Sequence, residues 1–452
     1  MRLFNDMPVI CRFDIWSGIT VLLLVFSGCE NEIVPDPFKP RNDHEAYLHS
    51  LTKANLLTTA LAQDWIDASR GSLEFPVQIE VPHQEAFYFD PKEPKANGYL
   101  LSAQKGQKIE ITLANQNPDS AKLFIDLFRV DSSEETVLHH VATAQPEYHL
   151  IAFEPRLDGE YLLRVQPELL RGGRFTLIVR VIAALSFPVQ GGSNRDIGSF
   201  FGDPRDGGRR KHHGIDIFAR RHTPILAPTN GYIRFAGERG LGGQVVWMRD
   251  RSRDLTLYFA HLQKISVTKC MQVEKGDTIG TVGNTGNART TPPHLHFGIY
   301  QDGPIDPYHF VAYTDDEPKS IQADPDLVGQ KVRMRRTGKI TYLQSQAKDK
   351  KHTLDKFQLL EVEAAMAGHY RVRMPAGDLG LVADKDIEQI LQPITEAQLI
   401  SQVQLLDRPF EDSSIIEEIT ESAEIRILAK DQDHWYVDTQ NGSQGWMISR
   451  AP

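Results

Sequence analysis

Hydrophobic and polar positions alternate with a period of two over most of the chain beyond residue 75. Val77, Ile79 and Val81 are separated by polar neighbours, as are Ile109, Ile111 and Leu113, and Phe175, Leu177, Val179 and Val181 keep the same spacing. Successive side chains of a strand point to opposite faces, so these runs predict strands that bury one face. Asn97-Gly98, Asp158-Gly159 and Gly172-Gly173 mark turns between them. Residues 43–185 therefore predict one helix over 43–69, with Leu57, Leu61 and Trp65 at i, i+4 and i+8 before Gly71, and then an antiparallel β-sandwich. Residues 186–313 are rich in Gly, His and short strand patterns. An acidic, Pro-containing linker follows over 314–326, and two small β-patterned regions cover 327–390 and 391–452. The expected fold class is mainly β.

The amino terminus breaks this pattern. Arg2 and Arg12 precede an apolar run over 15–26, interrupted by Ser17, Gly18 and Thr20 and ending in Ser27-Gly28-Cys29. A bilayer span needs about 20 apolar residues. The basic flank, short apolar centre and small residues predict a secretory signal over 1–29. Residues 30–42 carry Pro35, Pro37 and Pro40 among charges and predict a solvated tether.

Composition narrows the classes. A chain of 452 residues corresponds to about three domains. With 40% hydrophobic and 24% charged residues it is globular, neither disordered nor a multi-span membrane protein. Lys+Arg number 50 against 60 Asp+Glu, a net charge of −10, which argues against nucleic acid as a partner. Of the three cysteines, Cys11 and Cys29 fall in the first thirty residues, so the body holds only Cys270 and no disulfide framework.

Three fragments carry candidate chemistry: His212-His213-Gly214-Ile215-Asp216, Tyr258-Phe259-Ala260-His261-Leu262 and His294-Leu295-His296-Phe297. An isolated histidine in such a segment is usually a satisfied loop or core residue. The combination is different. A His and an Asp four apart converge on one ion if the chain turns between them, and Gly214 supplies that freedom. His294 and His296, two apart in a strand pattern, line the same face. Together the fragments offer three ligands with histidines to spare, the count of a catalytic zinc with one open position. A closed structural site would use four ligands, commonly Cys. His139-His140, with no third ligand nearby, reads as a surface pair.

With their flanks, these fragments resemble the lysostaphin/LytM-type zinc metalloendopeptidases of bacterial cell walls over residues 187–310. His-x-Gly-Ile-Asp, Ala-His-Leu and a Gly-Asn-Thr-Gly loop (283–286) before His-Leu-His-Phe occur in the family's order. Phe201-Gly202 with Arg205, the segment 223–228 and Asp306-Pro307 match as well. The resemblance implies Zn2+ held by His212, Asp216 and His296, with His261 and His294 catalytic, acting on metal-activated water. Four residues before Asp216 lies His212, so it, rather than His213, takes the ligand place. The implied substrate is the peptide cross-link of peptidoglycan, probed through its stem peptides, with the D-alanyl–diaminopimelyl bond favoured. Arg205, Arg209, Arg210, Lys211, Arg220 and Arg221 form a basic cluster that either meets stem-peptide carboxylates or is a solvated loop.

Other resemblances frame this region. Phe26-Ser27-Gly28-Cys29 is similar to a bacterial lipobox, which implies lipidation of Cys29 and a membrane-anchored lipoprotein of the cell envelope; a plainly cleaved signal and an uncleaved anchor are the alternatives. Residues 159–165 and 172–176 resemble pre-peptidase β-sandwich modules. Trp435-Tyr436-Val437, Asn441-Gly442 and Gly445-Trp446-Met447 resemble a bacterial SH3-like module over 391–452, with a looser match over 327–390 at 368–372 and 380–382. Rival readings are a catalytically inactive LytM-type activator of cell-wall amidases, a wall-binding protein, and a carrier-type domain suggested by the hairpin over 273–283. All five motif positions are filled, which favours the enzyme, and the histidine fragments have no role in a carrier.

Overall fold

The computed structural model describes residues 40–115, 122–132, 136–145, 149–312, 317–343, 353–410 and 412–449. The expected signal with Cys29, and the tether as far as residue 39, lie outside the described residues. The fold is mainly β and divides into two compact units, one holding 185–313 and the other holding 42–184 with 314–452. Among the described residues no helix is long and apolar enough to cross a membrane. Cys270 is disulfide-bonded. The other cysteines, Cys11 and Cys29, lie outside the described residues.

The first unit is built on an eight-stranded sheet. Its strands are β1 (Ile197–Ser199), β2 (Ile215–Phe218), β3 (Gly231–Glu238), β4 (Gln244–Asp250), β5 (Leu255–Ala260), β6 (Gln272–Val273), β7 (His294–Tyr300) and β8 (Pro304–Ile305). The order is β1-β2-β7-β5-β4-β3-β6, with β8 on β7. All of these pairings are antiparallel. A three-stranded sheet of Pro224–Leu226, Thr278–Thr281 and Lys264–Ile265 completes the unit.

The period of two decides what this sheet buries. Ile215 and Ile217 on β2, Leu257 and Phe259 on β5, and Leu295, Phe297 and Ile299 on β7 are all 0% exposed and pack in one core. Each such side chain contributes about 1.5–3 kcal/mol relative to exposure. Their alternate neighbours, Asp216, Tyr258, His294 and His296, are thereby sent to the opposite face.

The second unit begins with two helices, Asp43–Lys53 and Ala60–Glu74. One continuous helix was the expectation over 43–69. The i, i+4, i+8 spacing is interrupted because Asn55 adopts a left-handed φ of 56° and the Thr59 side chain caps the second helix at the Ala62 N–H, 3.3 Å away. Local capping chemistry outweighs periodicity there. The helices cover the outer face of a five-stranded sheet, where Trp65 is buried and its Nε1–H donates to the Pro167 carbonyl at 2.8 Å. This second cover explains why Gly159–Pro167 is buried almost continuously instead of alternately.

The opposing sheet of the sandwich has ten strands. His83–Phe89 pairs with Gly173–Ala183 on one side and with Leu359–Ala365 on the other, at Ala86↔Ala365 and Phe87↔Ala364. The region 327–390 thus adds strands to the sandwich sheet, while its Gly338–Lys339 and Thr353–Leu354 form a separate pair. Glu85 is 0% exposed at this junction and receives Arg371 Nη1 at 2.7 Å and the Tyr99 hydroxyl at 2.6 Å. Burial pushes its carboxyl up, but the Arg371 charge and the His83 and Tyr99 contacts outweigh it and hold the pKa at about 2. Breaking such a buried pair typically costs about 3–5 kcal/mol, so it ties the two regions firmly. The segment expected as a linker is tied down as well: Glu317 pairs with Arg180, Asp326 with Arg174, and Ala323 is buried. Residues beyond 394 form a six-stranded antiparallel sheet.

Candidate metal centre

The outer face of the first unit's sheet gathers the three fragments. Across β2 and β7, Asp216 stands opposite His296 and Phe218 opposite His294. Across β5 and β7, Ala260 stands opposite His296, so His261 leaves the sheet one residue beyond it. His261 has a left-handed φ of 64°, uncommon for a residue with a β-carbon and a local strain held by its surroundings. Its N–H donates to the Gly242 carbonyl at 2.8 Å. The resulting ring lies 5.1 Å from that of His294 and 6.0 Å from that of His296, between centroids.

His212 arrives from a hairpin in which Pro204–Arg205 pairs with Arg210–Lys211. Its N–H bonds the Asp203 carbonyl at 2.9 Å. Between His212 and Asp216 the chain passes directly over His296. A β-carbon on Gly214 would lie 2.9 Å from His296 Nε2 and 2.5 Å from the Phe297 carbonyl oxygen, so only glycine allows this crossing. Of the histidine doublet, His212 is buried at 4% exposure and turned inward, whereas His213 is exposed beside Phe201.

Three donor atoms meet at one point. Asp216 Oδ1 lies 3.0 Å from His212 Nε2 and 3.0 Å from His296 Nδ1, and those two nitrogens are 2.9 Å apart. His212, Asp216 and His296 are the one group of potential metal ligands found among the described residues. The surrounding carbonyls orient the rings. His212 Nδ1 donates to the Phe200 carbonyl at 2.8 Å, which leaves the Nε2 lone pair facing the cluster. His261 Nδ1 donates to the Thr285 carbonyl and His294 Nδ1 to the Pro292 carbonyl, each at 2.9 Å, so each of these rings presents Nε2 as an acceptor. Backbone packing supports Thr285: a β-carbon on Gly286, whose φ is 70°, would meet the Leu241 carbonyl oxygen at 2.3 Å.

Burial and charge set the protonation states. Burial pushes Asp216 up, but the close contacts with the His212 and His296 imidazoles outweigh it and hold the carboxyl well below the usual carboxylate range. Burial, followed by the His294 and His296 charges, lowers His261 to about 4. His296 is lowered chiefly by burial. The shifts favour an ionised Asp216 and a neutral His296, the protonation states a divalent ion requires of such ligands. Tyr258 packs edge-on to His296 at 5.7 Å, and Trp247 and Tyr300 continue an aromatic row along the same face.

The structure brings His212, Asp216, His261, His294 and His296 together. The basic cluster is dispersed by contrast. Arg210 pairs with Asp206, Arg221 bonds Gln263, and Arg209, Lys211 and Arg220 are exposed. Sequence reasoning missed Arg205 as a partner of Asp216, with Nη2 to Oδ2 at 2.9 Å, and missed the carbonyls of Phe200, Thr285 and Pro292. Phe201-Gly202 with Arg205 was visible as a motif, but nothing in it shows where the guanidinium points.

Residues 210–307 match the sequence profile of Peptidase family M23. Over 136 residues the chain is 35% identical to an L-Ala–D-Glu endopeptidase of Bacillus subtilis, covering 28% of this chain and 41% of that protein. Over 116 residues it is 40% identical to the DD-carboxypeptidase/endopeptidase Mpg of Neisseria meningitidis, covering 25% of each. Both matches span less than half of the relative. The solved catalytic domain of lysostaphin from Staphylococcus simulans aligns at 30% identity over 25% of this chain and 89% of that one, with a TM-score of 0.23. The segment matched, residues 210–307, contains all five histidine and aspartate positions of the cluster, so the likeness to Peptidase family M23 falls on the residues that build this site.

Proposed function

We propose that the protein is a zinc metalloendopeptidase that hydrolyses peptide cross-links in peptidoglycan, with His212, Asp216 and His296 holding Zn2+ and His261 and His294 as catalytic residues. The observation that carries this reading is the convergence of two imidazole nitrogens and one carboxylate oxygen beside two further histidines whose Nε2 atoms are free to accept. The donor set fits the ion: three nitrogen and oxygen ligands without cysteine is the composition of a catalytic zinc site with an open position. When bound, the ion supplies Lewis-acid polarisation of the scissile carbonyl and lowers the pKa of water towards about 7.

The chain's own residues do the rest. His261 is neutral at physiological pH because burial holds its pKa at about 4, so its Nε2 takes a proton from the attacking water. His294, on the same strand as the ligand His296, faces the same space and either relays that proton to the leaving amine or stabilises charge on the carbonyl oxygen. The aromatic row of Tyr258, Trp247 and Tyr300 forms a half-buried wall along which an extended peptide lies.

For the bond cut we favour the D-alanyl–diaminopimelyl cross-link. The Neisseria relative is named for DD-endopeptidase action and the Bacillus relative for a different stem-peptide bond. The test is digestion of cross-linked peptidoglycan by the purified protein, with and without a chelator, followed by mass analysis of the fragments. Chelator-sensitive conversion of cross-linked dimers into monomers is expected. Dimers left intact, or cleavage unaffected by chelator, would refute the reading.

The lipobox-like Phe26-Ser27-Gly28-Cys29 supports an envelope lipoprotein anchored through Cys29. The intact mass of the mature protein tests the anchor: a diacylglyceryl adduct on Cys29 is expected, and an unmodified Cys29 would overturn it.

A further inference from the structure

We infer that Arg205 is a positioning residue that restricts Asp216 to a single ligating oxygen and so keeps one coordination position open for water; this rests on the metal reading above. The two oxygens of Asp216 have separate partners. Oδ1 faces His212 Nε2 and His296 Nδ1, each at 3.0 Å, and lies 4.0 Å from His294 Nε2. Oδ2 faces away from that point and accepts from Arg205 Nη2 at 2.9 Å. The pair is largely shielded, with side-chain exposures of 31% for Arg205 and 12% for Asp216, so it is screened less than a surface ion pair.

The same guanidinium reaches a second ligand. Arg205 Nη2 also donates to Ser199 Oγ, which lies 3.3 Å from His212 Nδ1 and bonds Asp203 Oδ2 at 2.9 Å. The hairpin that delivers His212 to the cluster also carries Arg205, in register with Arg210. One side chain therefore braces Asp216 directly and His212 through a hydroxyl.

The consequence is a coordination count. Asp216 binding through both oxygens would, with His212 and His296, take up the four positions of a tetrahedral ion, so that water could bind only as a fifth ligand. With Oδ2 engaged by a guanidinium, the carboxylate offers one oxygen and the fourth position stays open. Arginine suits this task because its planar fork fixes direction as well as charge, whereas lysine supplies charge alone. Outer-shell partners of this kind are typically worth about 10–100-fold in metal affinity.

The test uses the purified full chain loaded with Co2+, whose visible spectrum reports coordination number. Wild type is expected to show the intense bands of a four-coordinate ion. Arg205→Met is expected to bind Co2+ about 10–100-fold more weakly and to show the weaker bands of a five-coordinate ion, as Oδ2 joins the shell. Arg205→Lys is expected to recover part of the affinity without restoring the spectrum. Wild-type affinity and spectrum in Arg205→Met would overturn the inference, and so would weakened binding with an unchanged spectrum, the signature of a merely structural brace. Failure of the wild type to take up Co2+ would instead refute the metal reading itself. Far-UV circular dichroism accompanies each variant, and if Arg205→Met does not fold, Arg205→Lys decides by the same two readouts.

Discussion

His261→Ala is expected to bind one zinc ion as tightly as the wild type and to lose about 10²–10⁴-fold in kcat on cross-linked muropeptides. The reasoning is geometric. His261 contributes no atom to the three that converge, and its ring lies beside theirs with Nδ1 occupied by the Thr285 carbonyl. Removing it therefore takes away a proton acceptor and leaves the ligands in place. The fold is expected to survive, because the left-handed backbone at this position is held by the Gly242 contact and alanine has the smallest side chain that can replace the ring there. Zinc content, circular dichroism and steady-state kinetics on the same preparation check all three points. Wild-type turnover in His261→Ala would remove this residue from the mechanism.

Asp216→Ala is expected to do the opposite and abolish metal binding. Its carboxylate is the sole negative charge among the three converging groups, and Oδ1 bridges the two imidazoles at 3.0 Å. Loss of affinity should exceed the roughly 100-fold upper end seen when an outer-shell partner is removed. Activity should disappear with the metal and should not return at any practical zinc concentration. The sheet itself should persist, since Ile215 and Ile217 on either side keep their places in the core. Calorimetric titration of zinc into wild type and variant is the direct check. Tight stoichiometric zinc in Asp216→Ala would exclude Asp216 as a ligand.

Much of this site was legible because strand geometry is a strict rule. Leu295, Phe297 and Ile299 had to share one face, so His294 and His296 had to share the other, and the register opposite Asp216 follows the same alternation. Gly214 was readable as freedom to turn, although the sequence held no sign that the obstacle was the His296 ring. What escaped was non-local. The pairing of Leu359–Ala365 with His83–Phe89 joins segments far apart in the chain, and a strand's own alternation does not name its partner. The helix expected over 43–69 divides at Asn55 because a capping threonine competes with apolar spacing. Arg205 read as one more member of a basic cluster that either meets stem-peptide carboxylates or is solvated, yet its guanidinium pairs with Asp216.

The most direct measurement is anomalous diffraction at the zinc edge from crystals of the zinc-loaded protein. A single peak within bonding distance of His212 Nε2, Asp216 Oδ1 and His296 Nδ1, with His261 and His294 outside that distance, is the expected result. No peak at this cluster, or a peak whose ligands exclude Asp216, would contradict the account.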